Sequence, residues 1–225
     1  MVEQNSQKRE LPSSRTIPAA AAVTTSSSKR ASTATSKQAL TKPPTEISPS
    51  AVIADKAILS GTHMITIGTN SVIHPYAKIV SNYGPVTIGD NVVINEKAIV
   101  GQAPHDESSN VDTGVYDGVI IEDNVNIGSS SVVEASVVGE GSTIDVEAKV
   151  GTGATIGKFC KLSVKSVVAA GGTVQDYITV SHGGHRREDY LLKQNSALRV
   201  LRLKRQNDQV ELLRRLIPSN LAKWS

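Results

Sequence analysis

The 225-residue sequence has little that supports a disulfide, a thiolate metal site or an aromatic core. It contains one cysteine, Cys160, so no disulfide can close within the chain and no thiolate cluster can hold a metal ion. One tryptophan, one phenylalanine and five tyrosines leave the core to aliphatic side chains. No stretch approaches the roughly 18 apolar residues that span a bilayer, and the N-terminus lacks the apolar core of a secretory signal. These absences predict a reducing compartment and no membrane insertion.

Charge is unevenly distributed although the whole chain carries only +3. Residues 1–46 have seven basic and three acidic side chains, a net charge of +4. Residues 47–185 have seven basic and fourteen acidic, a net charge of −7, and residues 186–225 have ten basic and four acidic, a net charge of +6. Nucleic-acid-binding domains carry their basic patch on the fold itself, so an acidic body between basic tails predicts no nucleic-acid partner. The tails are instead expected to dock on the body or on an acidic partner.

The N-terminal extension, residues 1–45, is rich in Ser, Thr, Ala and Lys and shows no apolar periodicity. Such a segment cannot bury enough surface to offset its ordering entropy, which predicts disorder. A mitochondrial transit peptide is the alternative, because such leaders are rich in Ser and Arg. Glu3, Glu10 and the lack of a basic amphipathic face count against it.

Residues 46–182 carry an internal repeat with a period of six. An aliphatic residue starts each unit, and a small or β-branched residue follows four positions later. The longest run in phase starts its units at Val138, Ile144, Val150, Ile156, Leu162, Val168, Val174 and Val180, with Ser142, Ala148, Ala154, Cys160, Ser166, Gly172 and Ile178 at the fifth positions. Earlier runs start at Ile47 and Ile53, at Ile67, Ile73 and Ile79, at Ile88, Ile94 and Val100, and at Ile121, Ile127 and Val133.

A period of six predicts a short strand followed by a tight corner in each unit. The first and fifth residues face the same side of the chain, and corners such as Gly89-Asp90-Asn91 tolerate left-handed backbone. Three units close one triangular coil, and coils stack about 4.8 Å apart, so the repeats predict roughly seven coils and a prism of about 34 Å. An ordinary β-sandwich is the alternative, and the long run in perfect phase counts against it. The predicted fold is an all-β solenoid, a parallel β-helix, with a C-terminal α-helical segment.

The repeat is interrupted once and then ends. Residues 101–118 are polar and contain Pro104, which predicts a loop projecting from a corner.

Residues 183–225 form a basic helical segment in which Leu191, Leu192, Leu198 and Leu201 share one face. A second helix, capped by Asn207 or Asp208 and ending at Pro218, places a packing or partner stripe at Val210, Leu213, Leu216 and Ile217. Either this helix packs on the prism or it is shared with a partner, and the two uses are compatible.

Two chemistries known from prisms of this type fit the sequence poorly. γ-Carbonic anhydrases need three converging histidines, two of them five residues apart, whereas this chain has His63, His74, His105, His182 and His185 with no such pair. Residues 126–134 contain Ser and Glu at the place where a related enzyme would have its ligand histidines.

An acyltransferase needs a general-base histidine, and His105 in the projecting loop is the main candidate. A lone loop histidine is usually solvated, and the His182 and His185 pair lacks a further ligand nearby. We predict no catalytic, cofactor-binding or metal-binding residues.

Several motifs together resemble the hexapeptide-repeat subunits of the dynactin pointed-end complex. They are Ser71-Val-Ile-His-Pro-Tyr-Ala-Lys-Ile79, Gly84-Pro-Val-Thr-Ile-Gly-Asp-Asn91, the acidic Pro-containing loop that follows, and the closing Gln209-Val-Glu-Leu-Leu-Arg-Arg-Leu-Ile-Pro-Ser-Asn-Leu-Ala-Lys223. The resemblance covers about residues 47–223, and the N-terminal extension departs from the shorter family members.

This resemblance implies a left-handed coil and a structural role with no enzyme activity. The implied partners are dynactin subunit five, which is a second β-helix, subunit four and an actin-related protein. The implied function is to adapt dynein to cargo in microtubule-based transport, in the cytoplasm and on the cytoskeleton. The alternative is a working or degenerate enzyme of the γ-carbonic anhydrase or acyltransferase class.

Overall fold

The computed structural model describes residues 42–102 and 118–224. The predicted disorder of the N-terminal extension falls almost wholly on residues 1–41, which lie outside the described residues. The same is true of the projecting loop, of which residues 103–117 are not described. The fold below therefore concerns the repeat region on either side of that loop and the C-terminal segment.

The strands are short and follow one another three to a coil. In chain order they are β1 (Thr45–Ile47), β2 (Val52–Ile53), β3 (Ile58–Gly61), β4 (Ile65–Ile67), β5 (Val72–Ile73), β6 (Lys78–Ser81), β7 (Val86–Ile88), β8 (Val93–Ile94), β9 (Ile99–Gln102), β10 (Val119–Ile121), β11 (Asn126–Ile127), β12 (Val132–Val133), β13 (Val137–Val138), β14 (Thr143–Ile144), β15 (Lys149–Val150), β16 (Thr155–Ile156), β17 (Lys161–Leu162), β18 (Val167–Val168), β19 (Thr173–Val174), β20 (Ile178–Val180) and β21 (Arg186–Glu188).

Corresponding strands of successive coils pair in parallel and build the three faces of a prism. The first face has the order β1-β4-β7-β10-β13-β16-β19. The second face is β2-β5-β8-β11-β14-β17-β20-β21, and the third is β18-β15-β12-β9-β6-β3. The described residues thus make six complete coils and two strands of a seventh, which confirms the predicted parallel β-helix.

The aliphatic residues that start the repeat units line the inside of the prism. On the first face, parallel registers place Ile47, Ile67, Ile88, Ile121, Val138, Ile156 and Val174 in one column. All but Ile47 in this column are buried. Burying a Val or Ile side chain stabilises a fold by about 1.5–3 kcal/mol, so these columns supply the main driving force for the solenoid.

The corners use residues that tolerate a positive φ. Asn70, Asn91 and Asn124 occupy the same corner in successive coils, with φ of 58°, 54° and 57°. Asn adopts this left-handed conformation more readily than most residues because its short polar side chain can bond locally. The repeated corner keeps successive strands in register, and the register sets where each side chain points.

After the last coil the chain turns back over the second face. Strand β21 pairs antiparallel with β20, and two helices follow, α1 (Tyr190–Gln194) and α2 (Ser196–Leu216). A 3-10 turn at Leu221–Lys223 ends the described chain. With 1.5 Å per residue, α2 is about 31 Å long, which matches the roughly 29 Å of six stacked coils. The helix therefore crosses nearly the whole second face.

The predicted start of the second helix is wrong. Asn207 and Asp208 lie inside α2, and its N-cap is Asn195, whose side chain accepts hydrogen bonds from the amides of Ala197 and Leu198 at 3.0 and 3.3 Å. The helix ends at Leu216, two residues before Pro218, close to the predicted end. The interior of α2 contains no Pro or Gly to break it, so the two predicted apolar faces belong largely to one helix.

Candidate binding surfaces

The inner side of α2 packs on the first three coils of the second face. Val210 is buried among Val52, Val72 and Val93, which are outward residues of β2, β5 and β8. Leu213 and Ile217 pack against the same cluster and are partly buried. These contacts hold three of the four predicted stripe residues against the prism.

Polar contacts fix the middle of α2 over the third and fifth coils. Arg202 donates a hydrogen bond from Nη2 to Thr143 Oγ1 at 3.1 Å, and Gln206 Nε2 donates to the carbonyl of Asn91 at 3.3 Å. Burial lowers the pKa of the Arg202 guanidinium, and repulsion from Arg205 lowers it further. The helix is therefore anchored by apolar contacts at its C-terminal half and by hydrogen bonds at its middle.

The outer side of α2 carries exposed leucines among charged residues such as Arg205 and Asp208. Leu201, Leu212 and Leu216 are 61%, 58% and 67% exposed, so Leu216 lies apart from the other three predicted stripe residues. We call Leu201, Leu212 and Leu216 the outer stripe. A helix with leucines on both sides has no single apolar face, and its exposed leucines are candidate contacts for a protein partner.

A groove lies where α1 and the start of α2 meet the second face. Its volume is about 920 Å³. Leu191, Leu192, Leu198 and Leu201 supply its apolar wall, the four leucines predicted to share a helical face. The groove adds concave apolar surface next to the outer stripe, at the far end of the prism from Val210.

The histidines of the described chain do not converge. His63, His182 and His185 are exposed, and Nδ1 of His63 lies 2.9 Å from the carbonyl of Ser81. His74 is half-buried at a corner, where desolvation lowers its pKa and the Glu96 carboxylate partly opposes that effect. In residues 42–102 and 118–224, no three His, Cys, Asp or Glu side chains lie close enough to share a metal ion. His105 lies outside the described residues.

Residues 126–134 are engaged in structural hydrogen bonds. Ser131 is fully buried and donates to the carbonyl of Gly128 at 2.7 Å, while Glu134 Oε2 accepts from Thr152 Oγ1 at 2.9 Å.

Cys160 is buried inside the prism, and its thiol lies 2.9 Å from the carbonyl of Gln175. Burial raises the pKa of the Cys160 thiol, which keeps it protonated and a poor nucleophile.

The C-terminal segment closes the first coil, a feature that the sequence pattern did not predict. Trp224 is buried with the prism core, and its carbonyl accepts a hydrogen bond from Thr45 Oγ1 at 2.9 Å. The amide of Asn220 donates to the carbonyl of Ile53 at 2.8 Å. The sequence hinted at this contact only through a single Trp in a chain poor in aromatics. A single residue forms no periodic pattern, so the sequence could not show which coil it packs on.

The described part of the chain contains no helix that is both long and apolar enough to cross a membrane.

Comparison with known proteins gives relatives by sequence and by fold. No protein-family model matches the chain. It is 28% identical over 130 residues to dynactin subunit 6 of Danio rerio, and the matched segment covers 55% of this chain and 66% of the relative. It is 29% identical over 131 residues to dynactin subunit 6 of Xenopus tropicalis, covering 55% of this chain and 63% of the relative. The chain thus spans somewhat less than two thirds of both relatives, and it resembles dynactin subunit 6 as the sequence motifs predict.

A solved structure with a similar fold is a hexapeptide transferase family protein from Anaplasma phagocytophilum. It has a TM-score of 0.60 and 16% identity, and it covers 76% of this chain and 93% of that chain. At this identity the similarity concerns the fold alone, which is a hexapeptide-repeat solenoid.

Proposed function

We propose that this chain is a non-catalytic structural subunit of the dynactin pointed-end complex. The observation that carries the proposal is its similarity to dynactin subunit 6 of Danio rerio and of Xenopus tropicalis, over 130 and 131 residues. In this function it binds dynactin subunit five, a second β-helix subunit, and lies beside subunit four and an actin-related protein. It would help adapt dynein to cargo, in the cytoplasm and on the cytoskeleton.

The two sides of α2 support a scaffold role. The inner side, with Val210, ties the helix to the prism, while the outer stripe of Leu201, Leu212 and Leu216 stays open. Packing a helix on a solenoid does not require leucines on the solvent side. A neighbouring subunit that covers them would remove apolar surface from water at about 25 cal/mol per Å².

An enzyme is the second candidate, because the Anaplasma phagocytophilum protein with this fold is named a hexapeptide transferase family protein. Acyl transfer in such a site needs a general base, and a γ-carbonic anhydrase needs a zinc ion on three histidines. Within the described residues, Cys160 is buried and the histidines lie apart. Within these residues the arrangement offers no three-histidine zinc site, and His105, the candidate general base, lies outside them.

The proposal is tested by affinity purification of the tagged full-length chain from cells at low salt. Partners are identified by mass spectrometry, and zinc is measured on the same sample. We expect a second β-helix subunit together with an actin-related protein, and no stoichiometric metal. A homotrimer that carries zinc and lacks these partners would show that the chain is an enzyme.

The outer stripe is tested by Leu216→Asp in the same purification. We expect less of the neighbouring subunits to be recovered, with an unchanged melting temperature, because Leu216 is exposed in the chain alone. Val164→Asp is the matched control, since Val164 is 49% exposed at a prism corner. Leu213→Asp should weaken both assembly and folding because Leu213 is partly buried. Full recovery with Leu216→Asp would remove the outer stripe from the proposed interface.

A further inference from the structure

The two ends of the solenoid differ in how their strand edges are covered. At the first coil, Trp224 is buried with the core and Asn220 bonds to the backbone of Ile53. The side chain of Asn220 also donates to Asp55 Oδ1 at 2.7 Å. The chain thus seals this end with its own C-terminal residues.

At the last coil, the described chain adds a strand, β21, to the second face. Thr179 of β20 pairs antiparallel with Arg187 of β21. Hydrogen bonds of 2.8 Å from Ser181 to His185 and from Asp189 to Tyr177 flank this pair and set its register. This edge therefore accepts an extra strand with ordinary backbone geometry.

The terminal strands of the other two faces have no such partner strand on their outer edges among the described residues. Strand β18 ends the third face and β19 ends the first face. The amides of Lys149 and Gly151 donate to the carbonyls of Ser166 and Val168, both at 2.9 Å. Backbone groups alternate in direction along a strand, so the intervening Val167 turns its N–H and C=O away from the preceding coil.

Strand β19 repeats this arrangement on the first face. Thr155 donates to the carbonyl of Gly172 at 2.9 Å and Gly157 to that of Val174 at 2.8 Å, which leaves Thr173 facing outward. Arg186 Nη1 reaches across and donates to the Thr173 carbonyl at 2.7 Å. This contact comes from an exposed side chain that can move aside. Val167, Thr173 and Thr179 are six residues apart, and within the described chain only Thr179 has a strand paired on the side away from the preceding coil.

The segment that carries the two open edges has no charged residue from Ser166 to Gln175. Natural proteins protect exposed edge strands with Lys, Pro or a covering element. Lys149 stands beside Val167 in the preceding coil, so a lysine fits this position on the prism. Val167 is instead 59% exposed. We call residues 166–175 the open end.

We propose that the open end docks the terminal coil of a different parallel β-solenoid, whose strands continue β18 and β19. This inference rests on the proposed function and names the surface that meets the second β-helix subunit. The two edges lie on different prism faces, so one extended peptide could pair with only one of them. A triangular coil reaches both at once. A second copy of this chain cannot stack head-to-tail, because its first coil is sealed by Trp224.

The test removes the outward N–H donors without touching inward ones. The double variant Val167→Pro, Thr173→Pro is titrated, as the full chain, with the second β-helix subunit recovered in the purification above. Proline removes the N–H and fixes φ near −65°, and it is tolerated on an edge strand whose N–H points away from the sheet. We expect binding to weaken about tenfold or more, since each lost hydrogen bond contributes about 0.5–1.5 kcal/mol. The control double variant Val167→Thr, Thr173→Val keeps both donors and should bind normally.

Hydrogen–deuterium exchange provides a second measurement that does not depend on folding of the variant. In the unmodified complex, amides in residues 166–175 should exchange more slowly than in the free chain. Normal binding by the proline variant, or unchanged exchange in this segment, would overturn the inference while the proposed function stands. A homodimer formed through the open end would also overturn it. If the purification recovered no second β-helix subunit, both this inference and the proposed function would be overturned.

Discussion

At the scale of single residues, position within the coil decides what each side chain can do. Cys160 illustrates this, because the fifth position of its repeat unit points inward and the thiol is buried. Ser142, one coil earlier, and Ser166, in the next unit, occupy the same position and are also buried. The sequence predicted these positions because the period alone determines which residues face inside.

The burial of Cys160 predicts slow reaction with thiol reagents. Burial raises the pKa of the thiol, so little thiolate forms at neutral pH, and the surrounding coils block access. Labelling with a chromogenic disulfide should be slow in the native chain and fast in denaturant. A native rate equal to that in denaturant would contradict the buried position.

His74 makes stability depend on pH. Burial lowers its pKa in the folded chain below the ordinary value of 6.5, so the unfolded chain binds the proton more tightly. The contribution of neutral His74 is fully present above about pH 6.5 and is lost as pH falls toward the folded pKa. Urea unfolding measured from pH 7 to pH 5 should show this loss.

The control for His74 comes from the next coil, where Asn95 holds the aligned position after β8. His74→Asn should therefore fold, and its free energy of unfolding should fall less than that of the unmodified chain between pH 7 and pH 5. Equal slopes for the two proteins would show that His74 does not titrate in this range.

At the scale of elements, the strands and the end of α2 were predictable, and the start of α2 was not. Each strand follows from a local pattern that repeats with every coil. The start of α2 depends instead on where β21 and α1 return the chain to the second face. No local sequence pattern indicates that position. Asn195 could have been identified as the N-cap, but Asn207 and Asp208 are also favoured N-cap residues and directly precede an apolar helical pattern.

A matched pair of asparagines tests the boundary of α2. Asn195→Ala should lower the free energy of unfolding by about 1 kcal/mol, because the amides of Ala197 and Leu198 lose their acceptor. Asn207→Ala should change it by less than about 0.5 kcal/mol, since Asn207 is exposed in the helix interior. Urea titration of both variants measures the difference. The opposite order would restore Asn207 as the cap.

At the scale of the whole molecule, the C-terminal segment starts at the last coil and ends at the first. It therefore covers one face and one end, and it leaves the first and third faces and the open end uncovered among the described residues. The sequence did not predict this route, because Trp224 meets Thr45 only after 179 intervening steps along the chain. Contacts of this range depend on the assembled fold rather than on a pattern.

The seal at the first coil is tested by Trp224→Ala. Removing a buried Trp should lower the free energy of unfolding by about 3 kcal/mol, because the core beneath the ring is left open. Lys223→Ala is the control, since Lys223 is exposed and lies over the Trp224 ring at 4.8 Å, a contact that contributes about 0.5–1 kcal/mol. Similar effects of the two variants in urea unfolding would show that Trp224 does not seal the core.

The central claim is that this solenoid serves as a scaffold in a heteromeric complex. Native mass spectrometry of the purified assembly tests it most directly, because one spectrum reports subunit composition and bound metal together. The account predicts one copy of this chain with one copy of a different β-helix subunit and no zinc. A homotrimer with bound zinc would contradict it.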